Sequence, residues 1–254
     1  MPRASDPVDP VDPGGTAGAD GAAGTAGAVD HGGPAGTVET AGAATLRSTH
    51  APDWSLERAL WAAGALHVAG VDEAGRGALA GPVVAAAVIL PPERAYPFRD
   101  SKTVPPRRRA LLAVQVRDVA VAWAVGLASA EEIDAVGILT ATKNAARRAL
   151  DALTLTPDAL VTDYLPLAYG VPEVTPPRAD ARSYQVAAAS IVAKVTRDEI
   201  MVALHDEHPA YGFDRHKGYA APYHVAALAR LGPCPSHRRT FGRVLSVPLF
   251  EPSA

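Results

Sequence analysis

Residues 68–77 constrain this chain more than any other stretch: an apolar run, Val68-Ala69-Gly70-Val71, ends in two adjacent carboxylates, Asp72 and Glu73, followed by Ala74 and the turn Gly75-Arg76-Gly77. Side chains alternate faces along a strand, so the two acids are expected to serve one site only if the chain leaves the sheet between them. The glycine-rich continuation permits that exit. Two carboxylates held together repel, and such a pair either shares a proton or collects divalent cations. Arg76 between two glycines adds a fixed positive charge beside backbone that a ligand can approach closely. Acid pair, turn and arginine together point to metal plus phosphate.

The pattern returns downstream, where the apolar stretch Asp158-Ala159-Leu160-Val161-Thr162 ends in Asp163. Between the two, residues 82–90 read as a strand, the antiparallel neighbour of a strand over 66–71, and Pro91-Pro92 ends it. A helix is predicted over 105–117, opened by Pro105-Pro106, then a strand over 119–127 and two helices, 130–136 and 139–153, hinged at Gly137. Lys143, Arg147 and Arg148 on the second of these form either a solvated face or a ridge facing phosphates. Residues 166–177 read as loop, Ala179-Asp180-Ala181-Arg182 as a short or edge strand, and 187–207 as a long helix. A short helix over 53–61, capped by Asp53 or Ser55, opens the folded part. This order predicts an α/β fold with a mixed sheet, in which acids at strand ends gather at one edge.

A lone aspartate at a strand end usually caps a helix or shapes a turn. The functional case therefore rests on the set Asp72, Glu73, Asp163 and Asp180, all at or just past apolar runs and all oxygen donors suited to hard cations. Two such ions about 4 Å apart activate a water and stabilise the leaving oxygen in phosphodiester hydrolysis. His205 and His208 stand three apart at a helix end, but Pro209 follows, so they read as capping residues. No Cys or His cluster with zinc spacing competes.

The 187–207 helix places Ile191, Val195 and Val202 at buried spacing and Lys194, Arg197 and Asp198 on another face. If that face meets the acids, Lys194 neutralises or orients a carboxylate; otherwise Lys194 and Asp198 form a surface pair. Residues 211–219, including His216-Lys217-Gly218-Tyr219, are dense in aromatics, bases and glycines, as loops that stack on sugars or bases are. Ser236-His237-Arg238-Arg239-Thr240-Phe241 has a similar mix, either meeting a nucleic-acid backbone or lying on a C-terminal helix.

Net charge at first argues against a nucleic-acid binder: the 254 residues carry 27 acids and 24 bases. Residues 1–50 hold six of the acids and two of the bases, which leaves 21 and 22 in the remainder, a net charge of +1. Binding must then rest on a local patch and metal ions rather than bulk charge. Residues 1–50, built from Ala, Gly, Thr, Pro and Asp, cannot bury enough surface to offset chain entropy and are expected to be a disordered tail, with 51–254 the catalytic domain. The lone Cys234 fits a reducing cytoplasm, and the chain is expected to have neither a membrane helix nor a secretory leader.

Taken together, residues 71–77, Asp100-Ser101-Lys102, residues 160–163, 188–198, 211–213, 216–219 and 237–241 resemble ribonuclease HII, in that family's order and across 66–244. The resemblance implies a ribonuclease H-like fold: a mixed central β-sheet flanked by helices, with a helical C-terminal region. It implies endonucleolytic cutting of RNA in RNA/DNA hybrids and of duplex DNA 5' of single embedded ribonucleotides, leaving 3'-hydroxyl and 5'-phosphate ends. Asp72, Glu73, Asp163 and Asp180 would hold Mg2+ or Mn2+; Gly75, Arg76, Gly77 and Tyr219 would read the ribonucleotide's 2'-hydroxyl; Lys102 and Lys194 would contact phosphate or the active site. The protein is expected to be a cytoplasmic monomer with nucleic acid as its partner and no membrane association. The chain departs from the family pattern in Tyr164, where glycine usually follows the third acid, and in Arg178-Ala179-Asp180-Ala181, where Lys-Gly-Asp-Ser is common. The second departure leaves Asp198 as a rival fourth carboxylate.

Other classes fit less well. Ribonuclease HIII carries an extra folded N-terminal domain that residues 1–50 cannot build. A hybrid-binding protein without catalysis has no reason to gather uncompensated acids beside phosphates, and long Arg- and Lys-bearing loops disfavour a small-molecule phosphatase.

Overall fold

The computed structural model describes residues 51–92 and 94–246. The expected disordered tail over 1–50 lies outside the described residues. Five strands, β1 (Val68–Ala74), β2 (Val83–Ile89), β3 (Ala122–Ala128), β4 (Ala159–Thr162) and β5 (Glu173–Val174), form one mixed sheet in the order β3-β2-β1-β4-β5. β1, β2 and β3 are antiparallel neighbours, whereas β4 runs parallel to β1 and β5 parallel to β4. The short β5 falls inside the stretch expected to be loop, because two extended residues beside β4 suffice to pair. Helices α1 (Ser55–Ala62), α2 (Pro106–Val119), α3 (Ala130–Val136), α4 (Ile138–Asp151), α5 (Tyr184–Glu207), α6 (Phe213–His216), α7 (Pro222–Leu231) and α8 (Gly242–Leu245) surround it. Among the described residues no helix is long and apolar enough to cross a membrane.

Every residue of β2 is buried, and its alternation divides the core. Val83, Ala85, Ala87 and Ile89 join Ala141, Ala145 and Ala149 of α4 on one face. Ala86 and Val88 join α2 and the alanine-rich first half of α5 on the other. Alanines on both helices let their axes lie close to the sheet. At the tightest point, a Cβ on Gly70 of β1 would stand 2.3 Å from the Gln185 backbone, so only glycine admits α5 there. Gln185 then joins both strands, donating from Nε2 to the Val68 carbonyl at 2.5 Å and accepting from the Leu90 amide at 2.7 Å. Three buried polar groups thus satisfy one another, which sets where α5 lies along the sheet.

Local signals placed most ends within a few residues. Asp53 Oδ1 accepts from the Ser55 amide at 2.7 Å at the start of α1. Ser183 caps α5, accepting from the Val186 amide at 3.0 Å, so that helix starts at Tyr184 rather than at 187. The expected inward Val202 is 44% exposed, and its neighbour Met201 is buried among Ala80, Tyr211 and Phe213 instead. Those aromatics lie on the far flank of α5 and shift its buried stripe by one position. Two of the three bases on α4 are tied to the protein: Arg148 pairs with Glu132 at 2.7 Å, and Arg147 reaches the Leu167 carbonyl at 2.5 Å.

Candidate active site

β1 continues through Asp72 and Glu73 to Ala74, so the expected exit between the two acids does not occur. The register of β4 does the work instead. Its last pair with β1 is Val71 with Thr162, and Asp163 follows immediately. The end of β1 is therefore bare along that edge, where Asp72 and Glu73 project beyond the last rung. There the charge of Asp163 acts on Glu73, and that of Asp180 on Asp72.

Asp180 does not come from an edge strand. Residues Ala179–Ala181 form a single 3-10 turn, whose Ala179 amide donates to Asp163 Oδ1 at 2.9 Å. The third acid thereby ties down the turn that carries the fourth. Tyr164, standing where the resembling family has glycine, takes up a left-handed backbone at φ +52°, the conformation a glycine there would supply freely. The charge of Asp100 acts on Asp180, and Lys102 Nζ lies 3.8 Å from Asp180 Oδ2.

Burial pushes the Asp72 carboxyl well above its ordinary range, the adjacent Glu73 charge pushes it further, and a hydrogen bond with Ser190 partly offsets both. Burial also raises Glu73, opposed by Arg76, whose Nη1 stands 3.1 Å from Glu73 Oε1. Burial, then the charges of Asp100 and Asp163, raise Asp180 to about 6. Burial works against the Lys102 ammonium, but Asp100, Asp180, Asp72 and Asp163 outweigh it and raise its pKa. The cluster thus concentrates negative charge around one exposed lysine.

Among the described residues no three Asp, Glu, His or Cys side chains stand close enough to enclose one ion as placed. The contacts explain that spread: Arg76 bonds Glu73, the Ala179 amide bonds Asp163, and Lys102 faces Asp180. The chemistry of the set nonetheless fits a hard divalent cation, because every donor is a carboxylate oxygen, the negative charge exceeds the positive, and raised pKa values mark unmet electrostatic demand.

Beside the acids, Gly75 has φ +97°, and a Cβ there would lie 1.9 Å from Arg197 Nε. Gly77 has no atom within 4 Å of its Cβ position and presents open backbone. Arg197, expected on the charged face with Lys194 and Asp198, is fully buried and donates to the carbonyls of Pro82, Lys217 and Ala80. Arg238, also buried, donates to Gly81 and Arg76. The 237–241 segment is accordingly irregular rather than helical; the helix α8 begins after it. The Leu79 amide bonds the Gly218 carbonyl at 2.8 Å, so the glycine turn and the Tyr219 loop are stitched together. The Tyr219 ring, 38% exposed, lies over Arg197, with Lys194 Nζ 5.9 Å from its centre.

Asp198, the rival fourth acid, is engaged elsewhere: Lys194 Nζ stands 2.5 Å from its Oδ1 and Arg109 Nη1 3.6 Å from its Oδ2. His205 faces Asp214 at 3.3 Å and does not cap its helix, which the backbone of His208 closes. Sequence reasoning quoted Asp100, Ser101 and Ser190 within motifs but gave them no role in the site. Ser190 bonds Ser101 at 2.9 Å and reaches Asp72, which joins the Asp100–Lys102 loop to the acids. Their sequence signal was membership of the segments Asp100-Ser101-Lys102 and 188–198 that carry the resemblance. Arg197 and Arg238 were named only as members of charged stretches, and nothing local marked them for burial, since arginines are rarely buried without a carboxylate.

The family model described as ribonuclease HII matches residues 69–244. The chain is similar to ribonuclease HII of Thermus thermophilus, 56% identical over 199 residues, covering 78% of this chain and 97% of that one. Its fold is similar to the crystal structure of the ribonuclease H2 from Pyrococcus horikoshii, with a TM-score of 0.62 and 27% identity over 72% of this chain and 97% of that one. It is similar also to ribonuclease HII of Archaeoglobus fulgidus, solved in complex with PCNA, with a TM-score of 0.60 and 28% identity over 74% and 98% of the two chains. Sheet order, helical C-terminal region and matched sequence together place this chain in the ribonuclease HII family of metal-dependent endoribonucleases, which act on RNA/DNA hybrids.

Proposed function

We propose that this chain nicks duplex DNA on the 5' side of a single embedded ribonucleotide as well as cutting RNA in long hybrids, leaving 3'-hydroxyl and 5'-phosphate ends. The observation that carries the reading is the adjacency of two assemblies. The acid cluster at the bare end of β1 continues, within three residues, into the Gly75-Arg76-Gly77 turn stitched to the Tyr219 loop.

In this reading Asp72, Glu73, Asp163 and Asp180 hold Mg2+ or Mn2+. The chemistry that bound divalent ions supply is a nucleophilic water and neutralisation of charge at the leaving oxygen. The remaining work belongs to the chain's own residues. Gly77 offers backbone that nothing covers, so a sugar hydroxyl can approach its peptide groups. Arg76, held by Glu73 and by Arg238 through its carbonyl, keeps a cation at the same point. Tyr219 presents a half-exposed ring to the sugar, and the 2'-hydroxyl is the group that distinguishes a ribonucleotide from its neighbours. Lys102, with its side chain 76% exposed, meets phosphate, while Lys194 supports the tyrosine ring from the Asp198 side. Residues 51–254 act as the catalytic domain, as a monomer in the cytoplasm.

The test is an incision assay on a DNA duplex with one ribonucleotide, beside an all-RNA/DNA hybrid, with Mg2+ or Mn2+. The nicked product is expected to prime a DNA polymerase directly, as a 3'-hydroxyl end does, and Asp72→Asn is expected to abolish it. Absence of cleavage with either metal would sink the reading.

A further inference from the structure

Behind the Tyr219 loop, and apart from the acids, three imidazoles form a chain, two of them buried. His224 and His237 are buried, with their Nε2 atoms 3.1 Å apart. His216 stacks on His224 with ring centres 4.4 Å apart and planes 11° from parallel. Burial holds all three below the ordinary histidine pKa, His237 at about 4, so the rings are neutral at pH 7.

Neighbouring amides decide which nitrogen of each ring carries the proton. The Cys234 amide donates to His237 Nδ1 at 3.0 Å, so that nitrogen is an acceptor and the proton of His237 sits on Nε2. His237 then donates to His224 Nε2, which leaves the proton of His224 on Nδ1, where it donates to the Tyr219 carbonyl at 2.8 Å. In the same way the Gly218 amide fills His216 Nδ1 at 3.2 Å, and His216 Nε2 donates to the Tyr211 carbonyl at 2.8 Å. Every proton in the network has one consistent place. The backbone entering Tyr219 needs that support, because Lys217 has φ +52° and Gly218 φ +80°, and a left-handed non-glycine persists only where its surroundings over-determine it.

We propose that His224 and His237 are positioning residues for substrate discrimination: a relay of ordered hydrogen bonds, running from the Cys234 amide to the Tyr219 carbonyl, sets the height and tilt of the tyrosine ring above Arg197. The inference rests on the reading of Tyr219 as the residue that meets the ribonucleotide's sugar. The relay touches neither substrate nor the acids, and acts only through the main chain of that tyrosine.

The experiment compares incision at a lone ribonucleotide with cutting of a long RNA/DNA hybrid, in full-length protein, and reads the ratio of the two kcat/KM values. Tyr219→Ala is expected to depress the ratio. His224→Leu, which keeps bulk but removes the donor, is expected to depress it about tenfold, the scale of one lost hydrogen bond. His224→Asn, whose amide places a donor near the former Nδ1, restores most of the ratio. His237→Asn keeps the acceptor for Cys234 but breaks the link to His224, and gives a smaller change of the same sign that stays readable if His224→Leu does not fold. In a Tyr219→Ala background neither histidine change moves the ratio further, which a general loss of stability would not reproduce. A Tyr219→Ala effect with no ratio change in the histidine variants overturns the relay alone. Equal loss on both substrates for Tyr219→Ala overturns the tyrosine reading and the relay with it.

Discussion

The ring of Tyr219 lies over the guanidinium of Arg197, 5.4 Å from ring centre to carbon, and the same guanidinium fills the space that a side chain at Gly75 would need. One buried cation thus spaces the two parts of the proposed sugar-reading site. Three carbonyls hold it there rather than a carboxylate, which keeps its planar faces free for both neighbours.

Two glycines of one turn should therefore respond differently. Gly75→Ala puts a Cβ into Arg197 on a backbone already at φ +97°, and is expected to lower the melting temperature and reduce incision at a ribonucleotide by at least about a hundredfold, the scale of a few kcal/mol. Gly77→Ala meets nothing and should melt like the parent, yet lose incision because its new methyl group faces the sugar. Parallel melting curves and kcat/KM values decide it. Full activity for Gly77→Ala would show that no ligand approaches there.

The acid cluster is a site of like-charge repulsion around buried groups, so removing one charge should stabilise the protein while abolishing its chemistry. Asp72→Asn is expected to be inactive and to melt higher than the parent in the presence of EDTA, by about 2–4 °C for each kcal/mol of repulsion relieved in a domain of this size. Mg2+ or Mn2+ should raise the melting temperature of the parent and do so less for the variant. A variant that melts lower in EDTA would mean that Asp72 is held by bonds stronger than the repulsion it meets.

Glu57 supplies a pH test away from the site. It is fully buried, accepts a hydrogen bond from Ser183, and burial raises its carboxyl from 4.5 to about 7. A carboxyl with a raised folded pKa binds more protons folded than unfolded, so stability declines as pH rises from 4.5 through 7. Glu57→Gln removes that decline and should gain stability relative to the parent between pH 5 and pH 8, by up to about 3 kcal/mol. Denaturant melts at the two pH values measure it, and an equal difference at both would show that Glu57 titrates normally.

Removal of residues 1–50 should leave incision within about twofold of the full chain at 0.1 M salt, since that segment is net acidic and offers phosphates no attraction. Steady-state rates on the single-ribonucleotide duplex check this, and a large loss would reveal a functional arm.

Much of the architecture was legible because it rests on short-range chemistry. Alternation and length located the strands around Val68, Val83 and Ala159, proline marked the start of α2, and Gly137 separated α3 from α4. Asp180 was named although its local structure was mistaken for an edge strand. Its acid follows an apolar residue in either conformation, whereas the 3-10 turn depends on Asp163, seventeen residues earlier, accepting from the Ala179 amide. Arg197 was placed on the charged face with Lys194 because helical spacing put it there, and burial of such a charge is uncommon. Only the folded chain brings the carbonyls of Ala80, Pro82 and Lys217 to one point where that cost is met.

By itself, then, the sequence determined the periodic elements, the acids at strand ends and the Gly75-Arg76-Gly77 turn, because period, breaker residues and adjacency are properties of neighbours along the chain. The tertiary structure alone decided that β4 ends one residue short of Asp72, that Arg109 joins Lys194 on Asp198 while Asp180 lies with the acids, and that Arg197 separates Gly75 from Tyr219. Those outcomes depend on strand register and on which carbonyls meet a buried charge, and both are set by contacts between residues far apart in the chain.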